Sequence, residues 1–112
     1  MPLTVRTQGT VVILELDGRL TLGEPVDQFR SAWTDALTTG SRSLILNLER
    51  VTMIDSSGIG TMIRCHSAVT QAGGQVKIAA ANHTVRQAFK ITRLDSLFEF
   101  HDTEAAAIAA SA

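Results

Sequence analysis

The sequence predicts an α/β domain: a mixed, mostly parallel sheet that opens with a β-hairpin and is packed against about four helices. Three observations carry that prediction. Short aliphatic runs alternate along the chain with runs of helical period. Two of the strand-like runs stand close together at the start, around a glycine turn. At Ile54-Asp55-Ser56-Ser57-Gly58-Ile59-Gly60 a strand then gives way abruptly to small polar residues and to an amphipathic run. The length suits a single domain over residues 1–112, which would bury about two-thirds of its unfolded surface without disulfide or metal staples.

In order along the chain, Leu3-Thr4-Val5-Arg6-Thr7 and Thr10 to Leu16 are the two predicted hairpin strands, turning at Gln8-Gly9 and closed by Asp17-Gly18. Arg19-Leu20-Thr21-Leu22-Gly23 is predicted to be a connecting loop. Pro25 suits the first turn of a helix, where a missing N–H costs nothing, and Val26, Phe29, Trp33 and Leu37 form its apolar stripe. The spacing of Trp33 within that stripe makes it a core residue rather than a stacking platform. Gly40 ends the helix. Ser43 to Leu48 has the density of a buried strand, with Leu44, Leu46 and Leu48 on one face and Asn47 its only polar interruption. Beyond the central turn, Ile59, Met62, Ile63, His66, Val69 and Ala72 recur on an inward arc, with Cys65 beside them. Gly60, Arg64, Ser67 and Gln71 fall on the opposite arc.

Gly73-Gly74 supplies a left-handed cap, and Gln75 to Ala80 reads as the next strand. Asn82, His83 and Thr84 are candidate caps of a third helix with Val85, Ala88, Phe89 and Thr92 inside and Arg86, Lys90 and Arg93 outside. Leu97 to Phe100 is a candidate final strand. Asp102 is the candidate cap of an alanine-rich last helix, Thr103 to Ala110, expected to fray.

Composition narrows the function. Hydrophobic residues make up 45% of the chain and charged residues 19%, with a net charge of −1, which argues against disorder and against nonspecific binding to nucleic acid or membrane. With 4% aromatics and no Tyr, stacking platforms for single-stranded nucleic acid are not expected. The lone Cys65 precludes an internal disulfide, no signal-like start is evident, and no uncharged apolar run is long enough to span a bilayer. The expectation is a soluble, cytoplasmic chain in which Cys65 is a packed hydrophobe.

The search for chemistry returns mostly negatives. Gly58-Ile59-Gly60-Thr61 lacks the lysine of a phosphate loop. His66, His83 and His101 have no zinc-ligand spacing, and no Gly-x-Ser-x-Gly elbow supports a hydrolytic triad. His66 is expected as a hydrogen-bonded core residue. Glu15, Asp17, Glu24 and Asp27 look like surface or cap residues, and Arg42, Arg50 and Arg64 are too dispersed for a basic stripe. Neither catalysis, a metal nor another cofactor is expected. Asp55, Ser56 and Ser57 are residue types that cap a helix, and on their own they require no more than that.

The order of elements and the residues at the turn together resemble the STAS domain, named for sulphate transporters and anti-sigma factor antagonists, and in particular its small stand-alone bacterial antagonists. The likeness covers about Val11 to Ala110. It rests on Leu16-Asp17-Gly18-Arg19-Leu20, on Leu44-Ile45-Leu46-Asn47-Leu48 and, most specifically, on Ile54 to Gly60, with Gln71 to Val76, Val85-Arg86 and Leu94-Asp95-Ser96-Leu97-Phe98 completing it. The resemblance implies a STAS fold and a serine, Ser56, phosphorylated by a partner that is both anti-sigma factor and serine kinase and dephosphorylated by a PP2C-type phosphatase. It implies partner switching, in which the unphosphorylated protein sequesters the kinase and frees sigma. The expected docking surface comprises Asp55, Ser57, Gly58, Gly60 and Arg64, with Thr21 and Gly23 in the neighbouring Thr21-Leu22-Gly23 loop. Two positions depart from the family pattern: Thr21, where an acidic residue is common, and Arg93, where a glycine is common. Two other readings stay open from sequence: a STAS subunit of a transporter or signalling scaffold, and a small nucleotide-binding enzyme.

Overall fold

The structure, a computed structural model, describes residues 2–111. Its elements follow in the order β1 (Leu3–Gln8), β2 (Val11–Leu20), α1 (Glu24–Thr38), β3 (Ser43–Ile54), α2 (Ser56–Gln71), β4 (Gln75–Ala79), α3 (His83–Ile91), β5 (Glu99–His101) and α4 (Glu104–Ala110). The five strands lie in the order β1-β2-β3-β4-β5. The β1–β2 hairpin is antiparallel, and the β2–β3, β3–β4 and β4–β5 pairs are parallel. This is the predicted α/β architecture, a mixed sheet with four helices.

The alternation of aliphatic residues along β2 and β3 sorts the sheet into two faces. Val12, Leu14, Leu16, Leu44, Leu46, Leu48, Val76 and Ile78 meet the apolar stripes of α1, α2 and α3 in the main core. Ile13, Ile45 and Ala79 face the other way, toward Ala107 of α4, with Ile108 packed alongside. Helix α4 is therefore the cover of a second small core, anchored rather than frayed. Its Glu104 accepts two hydrogen bonds from Arg6, at 3.2 and 2.6 Å, and one from Asn47 Nδ2 at 3.0 Å. That last contact also satisfies the polar interruption in β3, whose Oδ1 accepts the Glu49 N–H at 3.1 Å.

Several boundaries differ from the sequence expectation. Asp17-Gly18 does not close β2; register shifts at Glu15/Asp17 and Gly18/Arg19 let the strand continue to Leu20, paired with Ile54 of β3. An extra residue absorbed as a bulge keeps pairing while bending the strand. Correspondingly, Ser43–Leu48 and the stretch before the central turn are one strand of 12 residues. In α1, Ala36 is buried and Leu37 only partly so. The final strand begins at Glu99, because Phe98, 4% exposed, is a plug set edge-on against both Phe89 and His66. His66 thus makes an aromatic contact, with a centroid distance of 5.1 Å, in place of the hydrogen-bonded core role expected of it. Thr103, not Asp102, caps α4, accepting the Ala106 N–H. Asp102 instead accepts from Arg86 at 3.1 Å, and Arg86 lies over the Phe100 ring rather than pointing simply outward.

Candidate functional site

Everything of interest converges where β3 ends and α2 begins. Backbone N–H groups in the first turn of a helix have no intrahelical acceptor, and Asp55 supplies one. Its Oδ1 accepts the Gly58 N–H at 2.8 Å, while Oδ2 accepts the Leu22 N–H at 3.0 Å. The Asp55 N–H in turn donates to the Leu20 carbonyl at 3.4 Å. One carboxylate thereby caps α2 and pins the loop after β2 beside the helix. The N–H of Leu22 first, and that of Gly58 second, hold the Asp55 carboxyl below the usual carboxylate range, because hydrogen bonds to the charged form stabilise it.

Gly58 sets the depth of the helix. It is buried, and a Cβ there would lie 2.3 Å from the Leu20 carbonyl oxygen and 2.9 Å from Ile54 Cγ1. Seating the helix on Gly58 rolls Thr61, Met62, Cys65 and Val69 into the core. Ile59, Ile63 and His66 are left half-buried and Ala72 exposed, so the inward arc is rotated from the one read from periodicity. The Trp33 indole, 8% exposed, donates to the Thr61 hydroxyl at 3.4 Å and fixes α1 against α2 as a core residue.

The result is a shallow depression of about 380 Å³ between the two helix starts, lined by Leu22, Val26, Asp27, Arg30, Ser56, Ser57, Gly60 and Arg64. Ser56 is exposed at the first position of α2. Leu22 is 77% exposed, far more than burial economy would choose for a leucine. Of the residues expected at a docking surface, Ser56, Ser57, Gly60 and Arg64 are brought together here. Thr21 and Gly23 flank the depression through Leu22 without lining it. Asp55 is occupied at its rim, and Gly58 lies beneath it, shaping the face from below instead of presenting a contact.

Leu22 lies in the loop expected at the docking surface, whereas Arg30 and Asp27 were not singled out from sequence as site residues. The only signal for Arg30 is its place next to Phe29 in the α1 stripe, which puts it at the edge of the buried face; that this edge meets Ser56 is a tertiary fact. Among the larger hollows elsewhere are those of about 470 and 440 Å³. In the first, Arg42 donates to the Leu37 and Ser41 carbonyls; in the second, Asn82 donates to those of Glu49 and Val51. Among the described residues, no group of three or more His, Cys, Asp or Glu side chains is gathered for a metal, and no helix is long and apolar enough to cross a membrane.

Comparison with known proteins agrees with this geometry. The STAS domain family model matches residues 2–107. A protein of Thermotoga neapolitana named as an anti-sigma factor antagonist is 30% identical over 67 residues, 60% of this chain and 59% of that protein, so the chain spans less than two-thirds of that relative's length. The crystal structure of a Thermotoga maritima protein that is likewise only named as an anti-sigma factor antagonist superposes with a TM-score of 0.90 at 24% identity, covering 97% of this chain and 93% of that one. SpoIIAA, a Bacillus cell fate determinant and anti-sigma factor antagonist, is similar in both its unphosphorylated and phosphorylated forms. The TM-scores are 0.83 and 0.77, the identities 25% and 24%, and the coverage 97% of this chain with 95% and 98% of the two SpoIIAA chains.

Proposed function

Because this chain belongs to the STAS domain family, we propose that it acts as an anti-sigma factor antagonist by partner switching, with Ser56 as the phosphorylated residue. In its unphosphorylated form it binds a kinase-type anti-sigma factor through the face built from Leu22, Ser56, Ser57, Gly60 and Arg64. The kinase then transfers the terminal phosphoryl group of a nucleoside triphosphate to the Ser56 hydroxyl. An oxygen–phosphorus bond forms at Oγ, the bond to the bridging oxygen breaks, the diphosphate leaves and the hydroxyl proton passes to the kinase. A PP2C-type phosphatase reverses the modification, with water taking the phosphoryl group as inorganic phosphate. In this cycle the chain is a substrate and a binding partner, not the catalyst.

The observation that carries the reading is the division of labour at the turn. Asp55, not Ser56, accepts the Gly58 N–H, so the serine hydroxyl is exposed at a helix start with no capping duty. A phosphate there adds a charge of about −1.5 to −2, and the helix dipole favours it by about 0.3–1 kcal/mol. The fold therefore tolerates the modification. At a docked interface the same group must be desolvated and matched, and mismatched charge costs several kcal/mol; about 3 kcal/mol corresponds to roughly a hundredfold in affinity. Intact and peptide mass spectrometry of the protein from its native host is the test. A phosphate on Ser56, absent in Ser56→Ala, supports the reading; a chain never modified at Ser56 under any growth condition overturns it.

A further inference from the structure

We propose that a phosphate carried on Ser56 is held in cis by the Arg64 guanidinium, with Arg30 on the facing wall of the depression, so that modification also withdraws the two cations this face offers a partner. The proposal rests on the phosphoserine reading above and adds to it how the switch is read.

Ser56, Gly60 and Arg64 are spaced i, i+4 and i+8 on α2, which places them in one stripe along the helix surface. Long helical side chains lean toward the N-terminus, and Arg64 does so. Its Nη1 lies 3.9 Å from the point a Cβ on Gly60 would occupy. The guanidinium is thus drawn back over the one residue of the stripe that has no side chain, toward Ser56 a turn further on. Among the described residues no carboxylate lies within 4.0 Å of Arg64. Asp55, the nearest acid in sequence to Ser56, already spends one oxygen on Leu22 and the other on Gly58.

Arg30 lines the same depression and, among the described residues, is paired only with Asp27 of its own helix, at 3.6 Å, with both side chains more than half exposed. Exposed pairs of this kind contribute little, so exchanging Asp27 for a phosphate costs little. The fork of an arginine matches a phosphate's oxygens two at a time. Two arginines also balance the charge of a doubly ionised phosphoserine.

The test uses the whole chain with phosphoserine placed at position 56 during translation, and follows the phosphate by ³¹P NMR through a pH titration. The second phosphate ionisation should fall below the value of about 6 usual for phosphoserine. In Arg64→Gln it should rise by about 0.5 or more, since a lost cation favours the protonated form, with a smaller rise in Arg30→Gln. Gly60→Val, which fills the path of the guanidinium, should behave like Arg64→Gln. Amide spectra of the three surface variants check that each is folded. A midpoint unchanged by both arginine substitutions overturns the clamp while leaving Ser56 as the phosphorylated residue intact. Conversely, a host in which Ser56 is never phosphorylated removes the functional reading without altering this titration.

Discussion

Two glycines in the first turns of α2, Gly58 and Gly60, look interchangeable in sequence yet should respond to alanine in opposite directions. A methyl group on Gly58 would sit 2.3 Å from the backbone oxygen of Leu20 and 2.9 Å from Ile54 Cγ1. The first of these atoms is backbone of a strand residue paired with Ile54 of β3, so the helix itself must move. Overpacking of this kind costs about 1–3 kcal/mol, and the upper end applies because the obstacle is backbone. Alanine returns about 0.5–1 kcal/mol of helix propensity, leaving Gly58→Ala destabilised by about 2 kcal/mol. At about 2.1 cal/mol/K per residue of unfolding entropy, that lowers the melting temperature of this chain by roughly 8 °C. Gly60 meets only Arg64 Nη1, at 3.9 Å, so Gly60→Ala keeps its propensity gain and should raise the melting temperature by about 2–4 °C. Thermal denaturation followed by circular dichroism separates the two. If Gly58→Ala were as stable as Gly60→Ala, the seating of α2 on Leu20, and with it the geometry of the Ser56 face, would be wrong.

Three other outcomes follow from the same contacts. Asp55→Asn keeps one accepting oxygen for a cap but sets an amide N–H₂ where the second oxygen accepts, leaving the N–H of Leu22 or Gly58 without its acceptor, and should destabilise the fold by about 1–2 kcal/mol at neutral pH. Because the Asp55 carboxyl is held below its ordinary value of 3.8, its contribution is fully present above that pH and is lost as pH falls through the lowered folded value. The gap between wild type and variant should therefore close in acid; a gap independent of pH would refute the cap. Arg93 holds a φ of +60° at the end of α3, where its N–H donates to Lys90 O and that of Leu94 to Phe89 O, a conformation costing a side chain about 1 kcal/mol. Arg93→Gly should recover up to about 1 kcal/mol in urea denaturation, and a loss of stability would mean that the arginine makes a contact worth more than the strain. Cys65 is buried, and burial pushes its thiol up to about 12. A thiol reagent at pH 8 should find no reactive group in the native chain and one in denaturant; rapid native labelling would show that α2 opens.

What the sequence disclosed is governed by how local each signal is. The Leu44, Leu46 and Leu48 alternation, the stripe of Val26, Phe29 and Trp33, and the Asp55-Ser56-Ser57 junction each lie within a few residues, and the structure follows them. The misplaced boundaries all depend on distant partners. Asp17-Gly18 reads as a turn on its own, and only pairing with the far half of β3 carries the strand through it. Leu97-Phe98 has strand composition, yet Phe98 is claimed by Phe89 and His66. The alanine-rich tail reads as loose until Arg6, 98 residues away, meets Glu104.

The site divides in the same way. Ser56, Ser57, Gly60 and Arg64 share one helix, so their proximity follows from its period. Arg30 and the exposed Leu22 come from other elements and are brought beside them by tertiary contacts, among them Trp33–Thr61 and Asp55–Leu22. Gly58 shows the reverse case, a residue expected at the docking surface whose burial makes it a packing element.

The proposed switch is tested most directly by the affinity of the host's kinase-type anti-sigma factor for the chain with a free Ser56 hydroxyl and for the chain carrying phosphoserine there, measured by calorimetry beside the melting temperature of each form. The predicted result is binding to the unmodified chain, weakened at least about a hundredfold by the phosphate, with melting temperatures that differ by no more than a few degrees. Equal affinity of the two forms, or loss of binding only because the phosphorylated chain unfolds, would contradict it.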